Sequence, residues 1–223
     1  MRLTLNKLKA RSAKYDGFSA IELLIVVALI TVLAAISIPY FYSFTRAYKS
    51  EDEALKLLDN IREASQLALA KRRTFRMEVD LTANAILIID ENGPASAADD
   101  KIVKSIPLED MREVRMEQIP TGVTRPVPPD FTDAVFDEDV TGHLNDAGDT
   151  IIGNNVFAAR FRSDGSVVKA DGLPLNTNLY LWPPADGGGT NPRVISQVRA
   201  LTLYGNTGAV RYWKHNGTAF VPY

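Results

Sequence analysis

The chain has 223 residues, 46% of them hydrophobic and 23% charged, which is the make-up of a globular protein rather than a disordered chain or a polytopic membrane protein. At about 150 residues per domain it holds one folded domain and something more. With no cysteine and two histidines it excludes disulfides, thiolate metal sites and cysteine nucleophiles, and a formal net charge of -2 provides no basic field for nucleic acid.

The distribution says more than the totals. Residues 1–17 carry Arg2, Lys7, Lys9, Arg11 and Lys14 against one acid, Asp16, a net of +4 that leaves -6 for the rest. The run Ile21–Ile38 follows, 18 residues with a single charge, Glu22. At about 1.5 Å per residue, a helix of that length crosses a bilayer core. The basic flank places the N-terminus in the cytoplasm and the remainder on the far side, and Tyr40, Phe41, Tyr42, Phe44 and Tyr48 suit the membrane–water interface. A cleavable secretory signal, a buried core helix and a plain single-span anchor are the competing readings. The run is longer than the apolar core of a secretory signal and continuous helix follows it, and a plain anchor leaves Glu22 unexplained, because a carboxylate in an apolar span is costly and calls for a partner. Pro39 cannot donate to the helix ladder, so a kink is expected there.

The stretch Lys14-Tyr15-Asp16-Gly17-Phe18-Ser19-Ala20-Ile21-Glu22-Leu23-Leu24-Ile25-Val26-Val27 resembles the processing signal of type IV prepilins and type II secretion pseudopilins. The likeness rests on the basic leader, Gly17 before the cut, Phe18 after it, Glu22 fifth from the new end, and Pro39 past the apolar run. Asp16 departs from the neutral or basic residue that the family prefers beside the glycine. The resemblance implies that prepilin peptidase cuts between Gly17 and Phe18 and methylates the Phe18 amine. It also implies that Glu22 pairs with the N-terminal amine of a neighbouring subunit during assembly.

Beyond the span, Ala54, Leu57, Leu58, Ile61, Ala64, Ser65 and Ala68 recur at spacings of three and four, a helical stripe reaching about Lys71. Glu51, Asp52, Glu53, Lys56, Asp59, Arg62 and Glu63 take the other positions. From Thr74 the period becomes two: Phe75, Met77 and Val79 alternate with Thr74, Arg76 and Glu78, and a turn near Ala83-Asn84 leads into Ile86–Ile89. Further strands are expected at Ile102–Ile106, Val114–Ile119, Val156–Arg162, Val167–Lys169, Leu179–Trp182, Val194–Tyr204, Ala209–Lys214 and Ala219–Val221, with Asn216-Gly217 as a hairpin turn. A weak internal echo links Phe161-Arg162-Ser163-Asp164-Gly165-Ser166-Val167 to Tyr204-Gly205-Asn206-Thr207-Gly208-Ala209-Val210, and two antiparallel hairpins account for it. The Ala-rich helix end, Lys71-Arg72-Arg73 and the late Phe161-x-x-Asp164-Gly165 turn are also similar to the H-type minor pseudopilins over roughly residues 54–215.

Residues 120–155 and 183–192 read as loops, the first rich in proline and then in acids. Asp137-Glu138-Asp139-Val140-Thr141-Gly142 opens like a calcium loop, but its twelfth position is Gly148, where a bidentate glutamate belongs, so a solvated acidic loop is expected. His143 near Asp139 and Asp146 lacks a nucleophile elbow or phosphate loop, and Lys71-Arg72-Arg73 and Arg193, Arg199 and Arg211 read as surface charges rather than a DNA site.

The expected fold is α+β and type IV pilin-like, with a long N-terminal helix, transmembrane then amphipathic, packed on an antiparallel β-sheet domain. Its expected parts are a leader over 1–17, a transmembrane helix over 18–39, an exported helix over 40–73 and a β domain over 74–223. The resemblance implies a non-enzymatic minor pseudopilin of a type II secretion system, in the bacterial inner membrane with its C-terminal domain periplasmic. Its partners would be prepilin peptidase, other pseudopilin or pilin subunits, the inner-membrane assembly platform and the membrane, with no nucleic acid, metal or cofactor. A minor pilin of a type IV pilus, serving adhesion, motility or DNA uptake, and a membrane-anchored protein-binding module are the alternatives.

Overall fold

The computed structural model describes residues 19–91, 99–138, 140, 142–145, 147–185 and 189–223, with the backbone alone for 39–47. The chain divides into two compact units, one ending at Ser43 and one running from Phe44 to Tyr223. A single helix, α1 (Ala20–Lys71), contributes to both.

In the first unit, Ala20–Ile38 has a mean hydropathy of 2.8 over 19 residues, the length and composition of a membrane anchor or a signal sequence. Its side chains are exposed throughout, Leu24 at 68% and Ile30 at 60%, so this is not the core helix of a soluble fold. Pro39, with the kink expected there, is one of the positions whose side chains lie outside the described residues.

In the second unit α1 buries the face that its spacing predicts: Ala54, Leu57, Leu58, Ile61, Ala64 and Ala68 belong to the main core. The three alanines let the helix backbone come close to the sheets, and each buried leucine or isoleucine contributes about 1.5–3 kcal/mol. Glu53, expected among the solvent-facing charges, is buried, where Lys56 one turn on neutralises it. The helix stops at Arg72, which takes a left-handed φ of 54°, and the Arg73 N–H reaches back to the Ala68 carbonyl at 3.3 Å.

Eleven strands follow among the described residues: β1 (Thr74–Asp80), β2 (Ala85–Glu91), β3 (Lys101–Pro107), β4 (Arg115–Glu117), β5 (Thr132–Asp133), β6 (Val156–Phe161), β7 (Val167–Val168), β8 (Thr177–Trp182), β9 (Arg199–Leu203), β10 (Val210–His215) and β11 (Phe220–Pro222). One antiparallel sheet has the order β3-β2-β1-β6-β7. The other has the order β11-β10-β9-β8-β4, with β5 lying parallel to β8. The fold is therefore α+β, with a helix packed on antiparallel sheets behind a long apolar N-terminal segment. The strand expected over Val194–Tyr204 is shorter, because Ile195–Gln197 form a 3-10 turn. The Asn216-Gly217 turn forms as read, Gly217 at φ 103° and the Asn216 side chain accepting the Thr218 and Ala219 N–H groups at 2.9 Å.

The two turns that echo each other in sequence touch. The Val167 N–H donates to the Gly205 carbonyl at 2.6 Å, tying the β6–β7 end of one sheet to the β9–β10 turn of the other. A Cβ on Gly208 would overlap the Gly165 carbonyl, and one on Gly205 would overlap the Leu175 and Pro174 backbone. The likeness is thus a contact between two hairpin turns that only small residues permit.

Residues 120–155 carry acids that face solvent as expected, Asp130, Asp137, Glu138 and Asp149 all being exposed, while other residues of the segment pack on the sheets. Val123 packs on the second apolar cluster, which holds Tyr180, Trp182 and Trp213, beside Ile119 just before the segment. The Ala134 N–H bonds the Asn178 carbonyl at 2.8 Å, and Leu144 joins Ala85, Leu87 and Ile89. The physical reason lies in the strands: β1 is buried on both faces from Phe75 to Asp80, and β8 throughout. One helix covers one face only, so a second cover is required.

All three buried clusters draw on residues from Ala54 onward. Deleting residues 1–45 is accordingly expected to leave a soluble, cooperatively folding fragment that needs neither reductant nor metal. Circular dichroism with thermal unfolding checks this, and a spectrum of an unfolded chain rescued only by calcium would reverse the expectation.

Candidate functional site

Gly17 and Phe18 lie outside the described residues, and Glu22 lies within the first turn of α1. Its N–H donates to the Ser19 Oγ at 3.2 Å and to the Ser19 carbonyl at 3.1 Å. Ser19 is therefore the N-cap and Glu22 the third helical residue, the spacing of a capping box, of which the Ser19 half is formed. An acid there is also favoured by the helix dipole. The carboxylate itself is exposed on an otherwise apolar surface, where it is free to meet a cation from outside the chain.

The second unit holds a buried charged cluster. Arg76, Glu78 and Asp80 point to the outer face of β1, each at most 2% exposed. The Arg76 Nη1 meets the Glu91 Oε1 at 2.5 Å, and its Nη2 meets the Asp100 Oδ2 at 3.0 Å and donates to the Gly142 carbonyl at 2.6 Å. Its Nε lies 2.7 Å from the Glu78 Oε1, although these two atoms are not aligned for a hydrogen bond. The Arg160 Nε shares the Glu91 oxygen at 2.9 Å.

His143 sits between two carboxylates, its Nδ1 2.6 Å from the Glu78 Oε2 and its Nε2 3.0 Å from the Asp80 Oδ2. Where both carboxylates are ionised they only accept hydrogen bonds, both ring nitrogens then carry protons, and the ring is an imidazolium. Burial alone would lower its pKa, but the hydrogen bond and charge of Glu78, with those of Asp80, outweigh burial and raise it. The same burial pushes the Asp100 carboxyl up against the pull of Arg76. His215, without such carboxylate partners, is lowered by burial.

The expected neighbours of His143, Asp139 and Asp146, lie outside the described residues, and its actual partners come from β1. At 2% exposure this histidine has no access for a substrate, so the arrangement is a clamp. In the acidic segment, Asp133 and Asp130 pair with Arg125 at 2.9 and 4.0 Å. Among the described residues no group of three or more histidines or acids is arranged to hold a metal ion. Of the basic residues considered for DNA, Arg199 bonds Glu51 on α1 at 3.3 Å and Arg73 lies 3.5 Å from Asp90.

No family model, curated protein or solved structure matches the chain. Its own features define its class: an α+β protein in which an apolar N-terminal helix, of anchor or signal-sequence type, precedes a helix packed on antiparallel sheets.

Proposed function

We propose that this protein is a type IV pilin-like subunit, a minor pseudopilin that supports protein export by a type II secretion system. The observation that carries the reading is α1. It begins in an exposed apolar stretch whose one charged residue, Glu22, stands in the first turn, and it ends in a face of small and branched residues seated on the sheets. A simple anchor requires no carboxylate there, and a cleaved secretory signal does not belong to the same helix as the core of the exported domain. The Gly17-Phe18 junction fits the same reading, since the leader would be lost and the apolar helix kept.

On this reading prepilin peptidase acts between Gly17 and Phe18 and methylates Phe18. The apolar stretch lies in the inner membrane before assembly, and the assembly platform moves the subunit into a periplasmic filament. The chain's role is structural rather than catalytic.

Mass spectrometry of the protein from bacterial membranes tests this. The expected first residue is an N-methylated Phe18, and Gly17→Val, which puts a branched side chain at the cut, is expected to retain residues 1–17. A Gly17→Val chain that still begins at Phe18, or a wild-type chain that keeps its leader beside an active peptidase, would sink the reading.

A further inference from the structure

We propose that residues 137–155 form a strap whose closure over the outer face of the β3-β2-β1-β6-β7 sheet is latched by the protonated ring of His143. The inference is independent of the reading given above.

The strap is a folded piece with its own internal bonds. Leu144 bridges to Thr150, the Ile151 N–H donates to the His143 carbonyl at 2.9 Å, and the Asn145 N–H donates to the Asp149 carbonyl at 2.9 Å. Its ends are fixed where Asp137 pairs with Val156 and the Gly153 N–H meets the Glu138 carbonyl at 2.9 Å. It can therefore lift as a unit.

Its apolar seat is thin. Leu144 is the strap's described residue in the apolar cluster with Ala85, Leu87 and Ile89. A cleft of about 400 Å³ opens beside Val140 and Phe157, and another of about 340 Å³ beside Leu144 and Ile151. Polar contacts must then supply much of the hold.

Charge makes His143 decisive among them. It is the one basic residue in 137–155, against Asp137, Glu138, Asp139, Asp146 and Asp149. The sheet face opposite presents Glu78 and Asp80 from β1, Glu91 from β2, Asp100 before β3, and the cations Arg76 and Arg160. Asn154 adds a neutral bond to Asp80 at 2.6 Å, and Arg76 reaches the strap through the Gly142 carbonyl. A neutral His143 can donate to only one of its two carboxylates, leaving the other buried against an acidic strap.

The sign follows from the raised pKa of the closed state. The latch is fully effective below the pKa of a free histidine, about 6.5, and is lost as pH rises through the value of the closed state. Over that interval closure weakens tenfold per pH unit.

The test uses the full chain in detergent micelles. Histidine ring resonances are followed by NMR from pH 5 to 10, and backbone hydrogen exchange, corrected for the intrinsic rate at each pH, is followed by mass spectrometry. His143 is expected to titrate above a free histidine and His215 below it. Protection at Asn155, whose N–H donates to the Thr82 Oγ1 at 2.9 Å, and at Leu81, whose N–H donates to the Asn155 carbonyl at 3.0 Å, should be flat in acid and fall tenfold per pH unit until His143 has titrated, while β9 and β10 stay unchanged. His143→Gln should leave Asn155 and Leu81 unprotected at every pH, and His215→Gln should leave their profile as in wild type. A His143 that titrates at or below a free histidine, or strap protection that ignores its titration, would overturn the latch. Both readouts come from the wild-type chain, so a variant that fails to fold does not spare it.

Discussion

Glu22→Gln is expected to insert, to be cleaved and to start its helix normally, and yet to fail to enter a filament. The substitution removes the charge of Glu22 and keeps the length and shape of its side chain. The Ser19 cap bonds the backbone N–H of residue 22, so it is kept while the charge is lost. On the proposed reading the carboxylate meets the Phe18 amine of the next subunit, and the two charges leave lipid together. Removing one strands the other at a cost of a few kcal/mol, and about 3 kcal/mol is more than a hundredfold in incorporation. Glu22→Ala should behave like the glutamine variant, and Glu22→Asp, with its shorter arm, should be partly defective. Cross-linking to the other filament subunits measures this. Normal incorporation of Glu22→Gln would end the pairing mechanism.

The largest expected effect on stability is at Arg76. Arg76→Met keeps the volume and removes the charge that Glu78, Glu91 and Asp100 share. Burial opposes the charge on Arg76, and those three carboxylates hold it there. Breaking a buried ion pair from one side costs about 3–5 kcal/mol, because the stranded partners remain out of water. With a urea dependence of about 2–3 kcal/mol per molar, the midpoint should fall by about 1–2 M. Trp182 and Trp213 are both buried in the second unit, so their fluorescence reports that unit alone, even in the full chain. The loss should shrink in acid, since the stranded carboxylates then take up protons. Arg76→Lys should lie between, because an ammonium cannot span Glu91, Asp100 and the Gly142 carbonyl at once. A wild-type midpoint for Arg76→Met would show that the cluster stabilises nothing.

Much of this architecture is legible in the sequence where the signal is local. The buried face of α1 follows from Ala54, Leu57, Leu58, Ile61, Ala64 and Ala68, since a period of 3.6 depends on nothing outside the helix. The strand cores β1, β2, β6 and β8–β10 follow from alternation and short apolar runs. What escapes is the meaning of the polar face of β1. Alternation places Arg76, Glu78 and Asp80 together, but a charged face reads as solvated unless its cover is known, and that cover comes from residues 137–155, far along the chain. β5 escapes for the same reason, being two residues whose pairing with β8 no local pattern announces. His143 shows the limit from the other side: its sequence neighbours suggested Asp139 and Asp146, and its partners are set by the sheet. At the N-terminus Glu22 stands out as a lone charge in an apolar run, and the Ser19-x-x-Glu22 cap was equally readable.

The pairing of β1 with β6 bears on the order in which the chain can be built. β1, β2 and β3 form a local meander, but Asp80 meets Val156 only after the whole intervening segment has been made, and such distant pairings carry the larger closure entropy. Until then β1 is a free edge, the kind of surface on which nascent chains stick to one another. Its outer face meanwhile displays Arg76, Glu78 and Asp80, charges that discourage edge-to-edge association. The residues that later become the buried clamp are thus placed to act first as gatekeepers, until β6 pairs with that edge and residues 137–155 cover the face.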